Sequence, residues 1–555
     1  MENNKPKRES IKNESNTFLK KYWWMIALLG IIIPSFVLYM ISLSIFPISY
    51  GPDGPYYDIH VREVLRTGIP DTSDPPLIYY YLAPFVLLFG NSYLGIKVGM
   101  ALIASLMAIP SYLLTRIFIQ RIDIESKIPA LLAAFLITIN VYSYRMIEDF
   151  MKNLFGTFFL LFFMYYLVKW FEDLRKWKKN GVLMGFFFIC TFFSHVYPGL
   201  VAAILLIGVF FFNLIIKWIK TKKLPKTELL LLFITGLFSL GIIILLLIIY
   251  PSTIENIYNR LTSYLNGFIS GVSEGTLEKY SNTIANLIVY LNIPYILGLF
   301  VAFMHLYKGL KKQTDGRTKL VISRKTFLAW LYIIIAILLI AVMLVPTSWS
   351  DRFILLAFVP LSLIPPLFLL KLSSFLRDRY EPRSNLRYLV IGGISIIFAM
   401  MSLINVVNFW KTMGPSITMK QYDELQTIHI NHVDTGNINS SGIINVDHYH
   451  FGYWVEYIMD MEVFTGNATT KAPNYVGREI YGIYIIMMVP PPFRAPRQYP
   501  WNPFLPLSFP ETVEKVSYDG LKVSQPTPPP AYGIPIHIGI YYEVRLLYYA
   551  NGTQA

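Results

Sequence analysis

Long apolar runs recur from residue 22 to residue 409, and they limit the fold of this chain more than any other feature. Of its 555 residues, 54% are hydrophobic and 15% are charged, and its mean hydropathy is +0.48. An α-helix needs about 20 apolar residues to cross the hydrocarbon core of a bilayer. The pattern therefore predicts an all-α polytopic membrane protein with about eleven transmembrane helices. We expect spans at residues 22–46, 92–115, 127–144, 154–170, 181–198, 199–216, 229–250, 284–306, 327–346, 353–371 and 388–409.

Basic residues gather in alternate loops and indicate how the chain is oriented. Basic clusters at 169–179, 217–226, 308–325 and 371–387 would share a side with the polar, basic residues 1–21. Loops rich in Lys and Arg usually face the cytoplasm. We therefore expect a multi-pass protein of the cell membrane, with a cytoplasmic N-terminus and an extracytoplasmic C-terminal tail. The net charge of +14 then reflects topology and gives no reason to expect nucleic acid as a partner.

Composition divides the chain into three parts: a cytoplasmic segment, 1–21, a transmembrane domain, 22–409, and an extracytoplasmic domain, 410–555. Four outer loops of the transmembrane domain are candidates for chemistry. They lie at residues 47–91, 145–153, 251–283 and 346–352.

The C-terminal tail predicts a small mixed α/β domain. Residues 419–430 are helix-like, residues 442–446 are an apolar run typical of a strand, and the alternation at 536–547 predicts a closing strand. In the first outer loop, the apolar piece 77–89 is too short to cross the bilayer, so we expect an interfacial or re-entrant helix there.

Ionisable side chains concentrate at the expected outer face. Such groups cost free energy near a membrane unless they pair or face water, so they suggest function. Loop solvation and helix packing remain the alternatives for each one. The set is Asp53, Asp58, His60, Arg62, Asp74, Glu148, Asp149, Lys152, His195 and Arg352.

Carboxylates from the first two outer loops could meet over one cavity. Asp53, Asp58, Glu148 and Asp149 are the candidate catalytic residues. Together with water, carboxylates suit Mg²⁺ or Mn²⁺, so Asp53, Glu148 and Asp149 could bind a divalent cation. Without a metal, one of them could act as general base towards an acceptor.

Cations at the same level could bind a phosphate. An arginine matches a phosphate in bidentate fashion, and Arg352 stands at the outer start of a span, where the alternative is an interfacial, snorkelling side chain. His195 and Lys152 could contact the substrate or stabilise a departing phosphate. A buried structural role is the alternative for His195.

The first outer loop resembles that of the C-type (GT-C) membrane glycosyltransferases. The resemblance rests on Asp53, Tyr56-Tyr57, Arg62, Gly68 and Asp74-Pro75, in that order. It extends over roughly residues 40–260 and the overall topology, and includes the oligosaccharyltransferase catalytic subunits and the protein mannosyltransferases.

The resemblance implies a membrane glycosyltransferase that takes a sugar from a polyprenyl (dolichyl)-phosphate carrier at the outer face and passes it to a protein or glycolipid acceptor. It implies that Asp53 is the catalytic or metal-binding acid and that Asp58 is second choice. Glu148-Asp149 are similar to the acidic motif of the second outer loop, and Arg352 is placed like the arginine that holds the lipid phosphate. Tyr57 and Asp74 are then expected to contact substrate.

Two departures and two rival functions accompany the resemblance. One more residue separates Asp53 from the tyrosines than in the family pattern, and Glu148 and Asp149 are adjacent. The segment 447–454 lacks the Trp-Trp-Asp of oligosaccharyltransferases, which argues against glycan transfer to protein. A transporter of lipid-linked sugars or solutes is the rival from another class, although transporters usually place ionisable groups near mid-membrane. A scaffold without catalytic activity is the last alternative.

Overall fold

The structure is a computed structural model that describes most of the chain outside four long gaps. Its described ranges are 5–72, 74–118, 124–172, 177–221, 293–312, 328–334, 358–379, 386–411, 413–446, 449–465, 472–475, 477–485, 534–538 and 542–548, with single positions at 229, 230, 233, 241, 258, 259, 262 and 356. Arg352 and most of the loop 251–283 lie outside these residues.

Helices make up the described part of the transmembrane domain. They are α1 Lys5–Leu43, α2 Gly54–Thr67, α3 Leu77–Phe89, α4 Ser92–Leu106, α5 Ala108–Arg116, α6 Ile124–Thr138, α7 Val141–Asp149, α8 Met151–Glu172, α9 Val182–Ser194, α10 Val196–Thr221, α11 Ile293–Lys312, α12 Phe358–Leu363, α13 Pro365–Arg379 and α14 Leu386–Trp410.

Six helical segments of the described residues are long and apolar enough to cross a membrane. They are Tyr22–Leu43, Ser92–Arg116, Lys127–Asp149, Met151–Phe171, Val359–Leu376 and Leu386–Trp410. The prediction of a multi-pass helical membrane protein is confirmed by these spans. The count of eleven is not, because most of the predicted spans 229–250 and 327–346 fall outside the described residues.

The first two outer segments are helical rather than extended loops. The segment 47–91 contains α2 and the 13-residue helix α3, which agrees with the expectation of a short apolar helix at 77–89. The segment 145–153 was expected to be a loop, and this was wrong. It is the end of α7 and the start of α8, with one break at Phe150. Arg145 lies three and four residues before the two acids, so all three share one helical face.

The C-terminal domain combines two helices with a sheet. The helices are α15 Met419–Ile428 and α16 Tyr449–Met459, and the strands are β1 Ile443–Val446, β2 Glu462–Thr465, β3 Ile480–Ile485, β4 Ile534–Ile538 and β5 Tyr542–Tyr548. In the described residues the strand order is β2-β1-β3-β5-β4. β1 is parallel to β2 and β3, while β5 is antiparallel to β3 and β4.

The elements of this domain agree with two of the three predictions made for it from the sequence. The helix at 419–430 and the strand at 442–446 are confirmed. The prediction of one closing strand at 536–547 was wrong, because the described residues of this segment belong to two strands, β4 and β5, that pair antiparallel. Helix α16 connects the parallel strands β1 and β2, which need a crossover, and it buries Trp454 completely in the domain core.

Several helix ends meet at one end of the bundle, which we call the loop end. The Gly51 N–H donates to the Gly414 carbonyl at 2.9 Å, just beyond the last residue of α14. The backbone N–H of Lys152, in the first turn of α8, donates to the Tyr57 hydroxyl at 3.2 Å. The Ser92 hydroxyl at the start of α4 lies 3.0 Å from the hydroxyl of Tyr457 in α16. The loop end is therefore where α2 and the C-terminal domain sit on the bundle.

Candidate active site

Asp53 lies at the start of α2, and its carboxylate makes no hydrogen bond that caps the helix. It occupies the N-cap position but makes no capping hydrogen bond, although Asp side chains at this position usually accept one from the next turn. The side chain is 32% exposed, and its Oδ1 lies 3.4 Å from Nδ1 of His450 in α16. The carboxylate is thus directed at the C-terminal domain and reachable from outside.

Gly51 brings the acids of the second segment against the loop that carries Asp53. Its φ is +64°, and a Cβ at this position would lie 1.6 Å from Oδ1 of Asp149 and 2.6 Å from the Glu148 carbonyl oxygen. Only glycine combines this backbone conformation with that approach. Asp149 of the second segment therefore lies against Gly51, two residues before Asp53 in the chain, and a meeting of the carboxylates themselves over one cavity stays a prediction.

Arg145 holds both acids of the second segment. Its Nη1 lies 2.8 Å from Oε2 of Glu148, and it also pairs with Asp149. Oε1 of Glu148 accepts a hydrogen bond of 3.2 Å from the N–H of Gly414. Both acids are almost fully buried. This arrangement ties α7 to the segment after α14 and to the Asp53 loop.

Tyr57 lies among three carboxylates. Its side chain is buried, and its hydroxyl accepts from the Lys152 backbone. Burial raises the pKa of Tyr57 well above its ordinary value, and the charges of Asp53, Asp74 and Asp149 raise it further. The Tyr57 hydroxyl therefore stays neutral at physiological pH.

Lys152, Asp74 and Tyr56 form one rim of the site. Nζ of Lys152 pairs with Oδ2 of Asp74, and the Tyr56 hydroxyl donates to the same oxygen at 2.6 Å. Lys152 also lies over the Tyr56 ring, 4.7 Å from its centroid. His60 packs edge-on against Tyr56, and burial lowers its pKa to about 4, so it is neutral. The rim therefore places one ammonium group beside the acids.

Asp58, the second choice for the catalytic acid, is placed differently from Asp53. It is fully buried, and its Oδ2 accepts a hydrogen bond from the Ser49 hydroxyl. Burial raises the pKa of Asp58 to about 7. Asp58 therefore holds α2 against the loop that precedes Gly51, and a catalytic role for it stays a prediction.

His195 is at the loop end, as the turn between α9 and α10. A Cβ on Gly156 of α8 would meet Pro198 at 2.9 Å, which sets this turn beside the first two turns of α8. The Nδ1 of His195 accepts from the Tyr197 N–H at 3.3 Å, and the two rings stack. These contacts order the turn, and a substrate contact of His195 stays a prediction. So does the phosphate contact of Arg352, which lies outside the described residues.

The sequence reasoning missed three residues of this site. Arg145 was visible as a basic residue three and four positions before two acids. His450 and Tyr453 lie in the polar aromatic run 447–454, which stood out in the sequence but gave no sign of its partner. In the structure Tyr453 packs on Tyr56 with ring centroids 5.0 Å apart.

The predicted metal set does not fit the arrangement of side chains. Asp53 faces His450, whereas Glu148 and Asp149 both face Arg145. Among the described residues, no three His, Cys, Asp or Glu side chains come together so that they could hold a metal ion. The Arg145 guanidinium already supplies positive charge to two of the three carboxylates.

Neither the family models nor the curated proteins compared with this sequence give a match. Solved structures do. The apo crystal structure of the Archaeoglobus fulgidus oligosaccharyltransferase aligns with a TM-score of 0.59 at 15% identity, over 85% of this chain and 70% of that one. The Archaeoglobus fulgidus enzyme AglB in complex with an inhibitory peptide and a dolichol-phosphate gives 0.54 at 14% identity, over 84% and 70%.

A third structure, the same archaeal oligosaccharyltransferase in complex with Zn and sulfate, gives a TM-score of 0.55 at 15% identity, over 83% of this chain and 68% of that one. At this level of identity the likeness establishes the fold. The chain therefore has the GT-C fold of a multi-pass membrane protein, as the resemblance of its first outer loop implied.

Proposed function

We propose that this protein is a membrane glycosyltransferase that takes a sugar from a polyprenyl-phosphate-linked donor, of the dolichyl type, at the extracytoplasmic face. The observation that carries the proposal is the placement of Asp53. Its carboxylate is partly exposed, makes no capping hydrogen bond, and lies at the junction of the bundle and the C-terminal domain. The fold agrees with it, because a protein of the same fold was crystallised with a dolichol-phosphate.

In the proposed reaction, Asp53 removes the proton from the acceptor's nucleophilic atom. That atom forms a bond to the anomeric carbon of the sugar, and the bond from this carbon to the phosphate oxygen breaks. The electron pair stays on the phosphate. A cation held in place before the reaction stabilises the negative charge that develops on the leaving phosphate. Our candidates are Lys152 and Arg352, whose phosphate contact is predicted from the sequence.

Glu148 and Asp149 are proposed to act on the reaction through the backbone. Arg145 neutralises much of their charge, and together they fix Gly51 and Gly414. Preorganised placement of a catalytic group accounts for much of the rate of many enzymes. The sequence predicted that Glu148 and Asp149 are catalytic. In this proposal they instead hold Asp53 in position.

Transfer of a glycan to protein is the second candidate, since the archaeal protein of this fold was crystallised with an inhibitory peptide. The proposed orientation of the chain, with its N-terminus in the cytoplasm, rests on the charge distribution of the loops. The acceptor is proposed to be a protein or glycolipid in or beside the membrane.

The proposal is tested with the full-length protein and a panel of radiolabelled polyprenyl-phospho-sugars. We expect wild type to transfer or hydrolyse at least one donor, and Asp53→Asn to lower the rate at least about 100-fold, the smaller end of the usual contribution of a general base. Asp71→Asn changes an exposed acid of the same segment and should leave the rate unchanged. No reaction of wild type with any donor would favour a transporter.

A further inference from the structure

The side of the site formed by the C-terminal domain has its own chemistry. Helix α16 presents His450 towards Asp53 and Tyr453 towards Tyr56. All four residues are partly buried, and the His450 side chain is 13% exposed. A second domain thus completes the surface around the proposed catalytic carboxylate.

The ring of Tyr453, which we call the platform, packs against the ring of Tyr56. The Tyr56 ring lies 5.0 Å from it, and Tyr56 is itself fixed by hydrogen bonds to Asp74 at 2.6 Å and to Thr72 at 2.8 Å. Lys152 and His60 pack on Tyr56 as well. A ring fixed on several sides costs little conformational entropy when a ligand stacks on it.

The polar pair beside the platform suits hydroxyl groups. With Nδ1 of His450 turned to Oδ1 of Asp53, the imidazole and the carboxylate are neighbouring groups that can each hydrogen-bond an O–H. A base oriented by a neighbouring polar group is the usual arrangement for activating a hydroxyl nucleophile. The Trp-Trp-Asp of oligosaccharyltransferases is absent from 447–454.

We propose that the acceptor is a carbohydrate, whose ring stacks on Tyr453 and whose reacting hydroxyl bridges Asp53 and His450 from one side. This inference rests on the proposed function and names its acceptor class. The hydroxyl proton passes to Asp53, the hydroxyl oxygen bonds to the anomeric carbon of the donor sugar, and the phosphate leaves with the electron pair of the broken bond. His450 holds the acceptor hydroxyl in line by a hydrogen bond.

The test gives one donor to wild type together with either a simple glycoside or a peptide that contains Asn-x-Thr. We expect transfer to the glycoside and none to the peptide. Tyr453→Ala should raise KM for the glycoside about tenfold, the loss expected for one aromatic stacking contact, while KM for the donor is unchanged. His450→Gln should lower kcat for the glycoside and leave both KM values near those of wild type.

Tyr475→Ala is the matched control, because it removes another ring of the same domain that stacks on Phe464 and not on the site. It should leave both KM values unchanged. Transfer to the peptide alone, or equal glycoside KM for Tyr453→Ala and wild type, would overturn the carbohydrate acceptor while leaving the glycosyltransferase intact. Donor hydrolysis that Asp53→Asn does not affect would instead count against the proposed function itself.

Discussion

At the scale of single residues, Gly51 decides whether the two acidic segments can meet. Its left-handed backbone and the Asp149 oxygen at the Cβ position exclude any side chain. Gly68, at the end of α2, has a φ of +83° but nothing within 4 Å of a Cβ. A side chain at Gly68 would therefore meet backbone strain alone, whereas a side chain at Gly51 would meet both backbone strain and a steric clash.

We predict that Gly51→Ala abolishes transfer and lowers the melting temperature, because the methyl group displaces Asp149 and the Asp53 loop. Gly68→Ala should cost only about 1–2 kcal/mol of stability, the penalty of a left-handed conformation for an L-residue, and should retain transfer. Melting curves and initial rates of both variants check this. Equal effects of the two substitutions would contradict the role given to Gly51.

Asp58 should make stability depend on pH. Its folded pKa is raised from 3.8 to about 7, so between these values the folded state holds a proton that the unfolded state has released. Stability therefore falls as pH rises through this window. Glu456, whose pKa burial also raises to about 7, adds to the same decline.

We predict that Asp58→Asn removes part of this decline, because the amide stays neutral and still accepts from Ser49. The melting temperature of the variant, measured from pH 4 to pH 8, should fall less steeply than that of wild type. A variant that shows the same slope as wild type would refute the burial of an ionisable Asp58.

At the scale of elements, α2 and α16 form the joint on which the site depends. The Arg62 guanidinium lies 3.7 Å from the centroid of the Tyr457 ring and donates to the Tyr457 carbonyl at 3.3 Å. One turn later, Arg66 pairs with Asp460 at 3.2 Å, but both side chains are more than 60% exposed. Exposed pairs contribute little, because water and salt screen them.

Arg62→Ala is therefore expected to weaken the joint by about 1–2 kcal/mol, the sum of a partly desolvated cation–π contact and a hydrogen bond. Amide hydrogen exchange of Tyr449–Met459 should accelerate and transfer should drop. Arg66→Ala, the control on the same helix, should change neither by much. Unchanged exchange in Arg62→Ala would mean that other contacts hold α16 in place.

Elements with a strong local pattern could be predicted, and elements that depend on partners could not. The helix at Met419–Ile428 carries its own capping box, in which Thr418 and Gln421 bond each other's backbone. The acids at 148 and 149 looked like a loop because charged residues rarely continue a membrane helix. Their burial depends on Arg145 and on Gly414, which is 266 positions away from Glu148. The alternation at 536–547 gave no sign that these residues belong to two antiparallel strands, β4 and β5.

At the scale of the whole molecule, the site joins parts of the chain that lie far apart in sequence. Asp53 follows the first span, Lys152 begins a later one, and His450 belongs to the C-terminal domain. Loop charges and the resemblance to GT-C enzymes predicted that the first two belong to one face. They gave no basis for the contact between Asp53 and His450, because only the docking of α16 on α2 creates it.

In the proposed mechanism Asp53 takes the acceptor proton, whereas Glu148 only holds the loop that carries Asp53. This difference is tested by measuring kcat for sugar transfer and the melting temperature of Asp53→Asn and Glu148→Gln side by side. We predict that Asp53→Asn keeps the wild-type melting temperature and loses at least about 100-fold in kcat. Glu148→Gln should lose about 3–5 kcal/mol of stability, because it leaves Arg145 partly uncompensated. Wild-type turnover by Asp53→Asn would contradict the account.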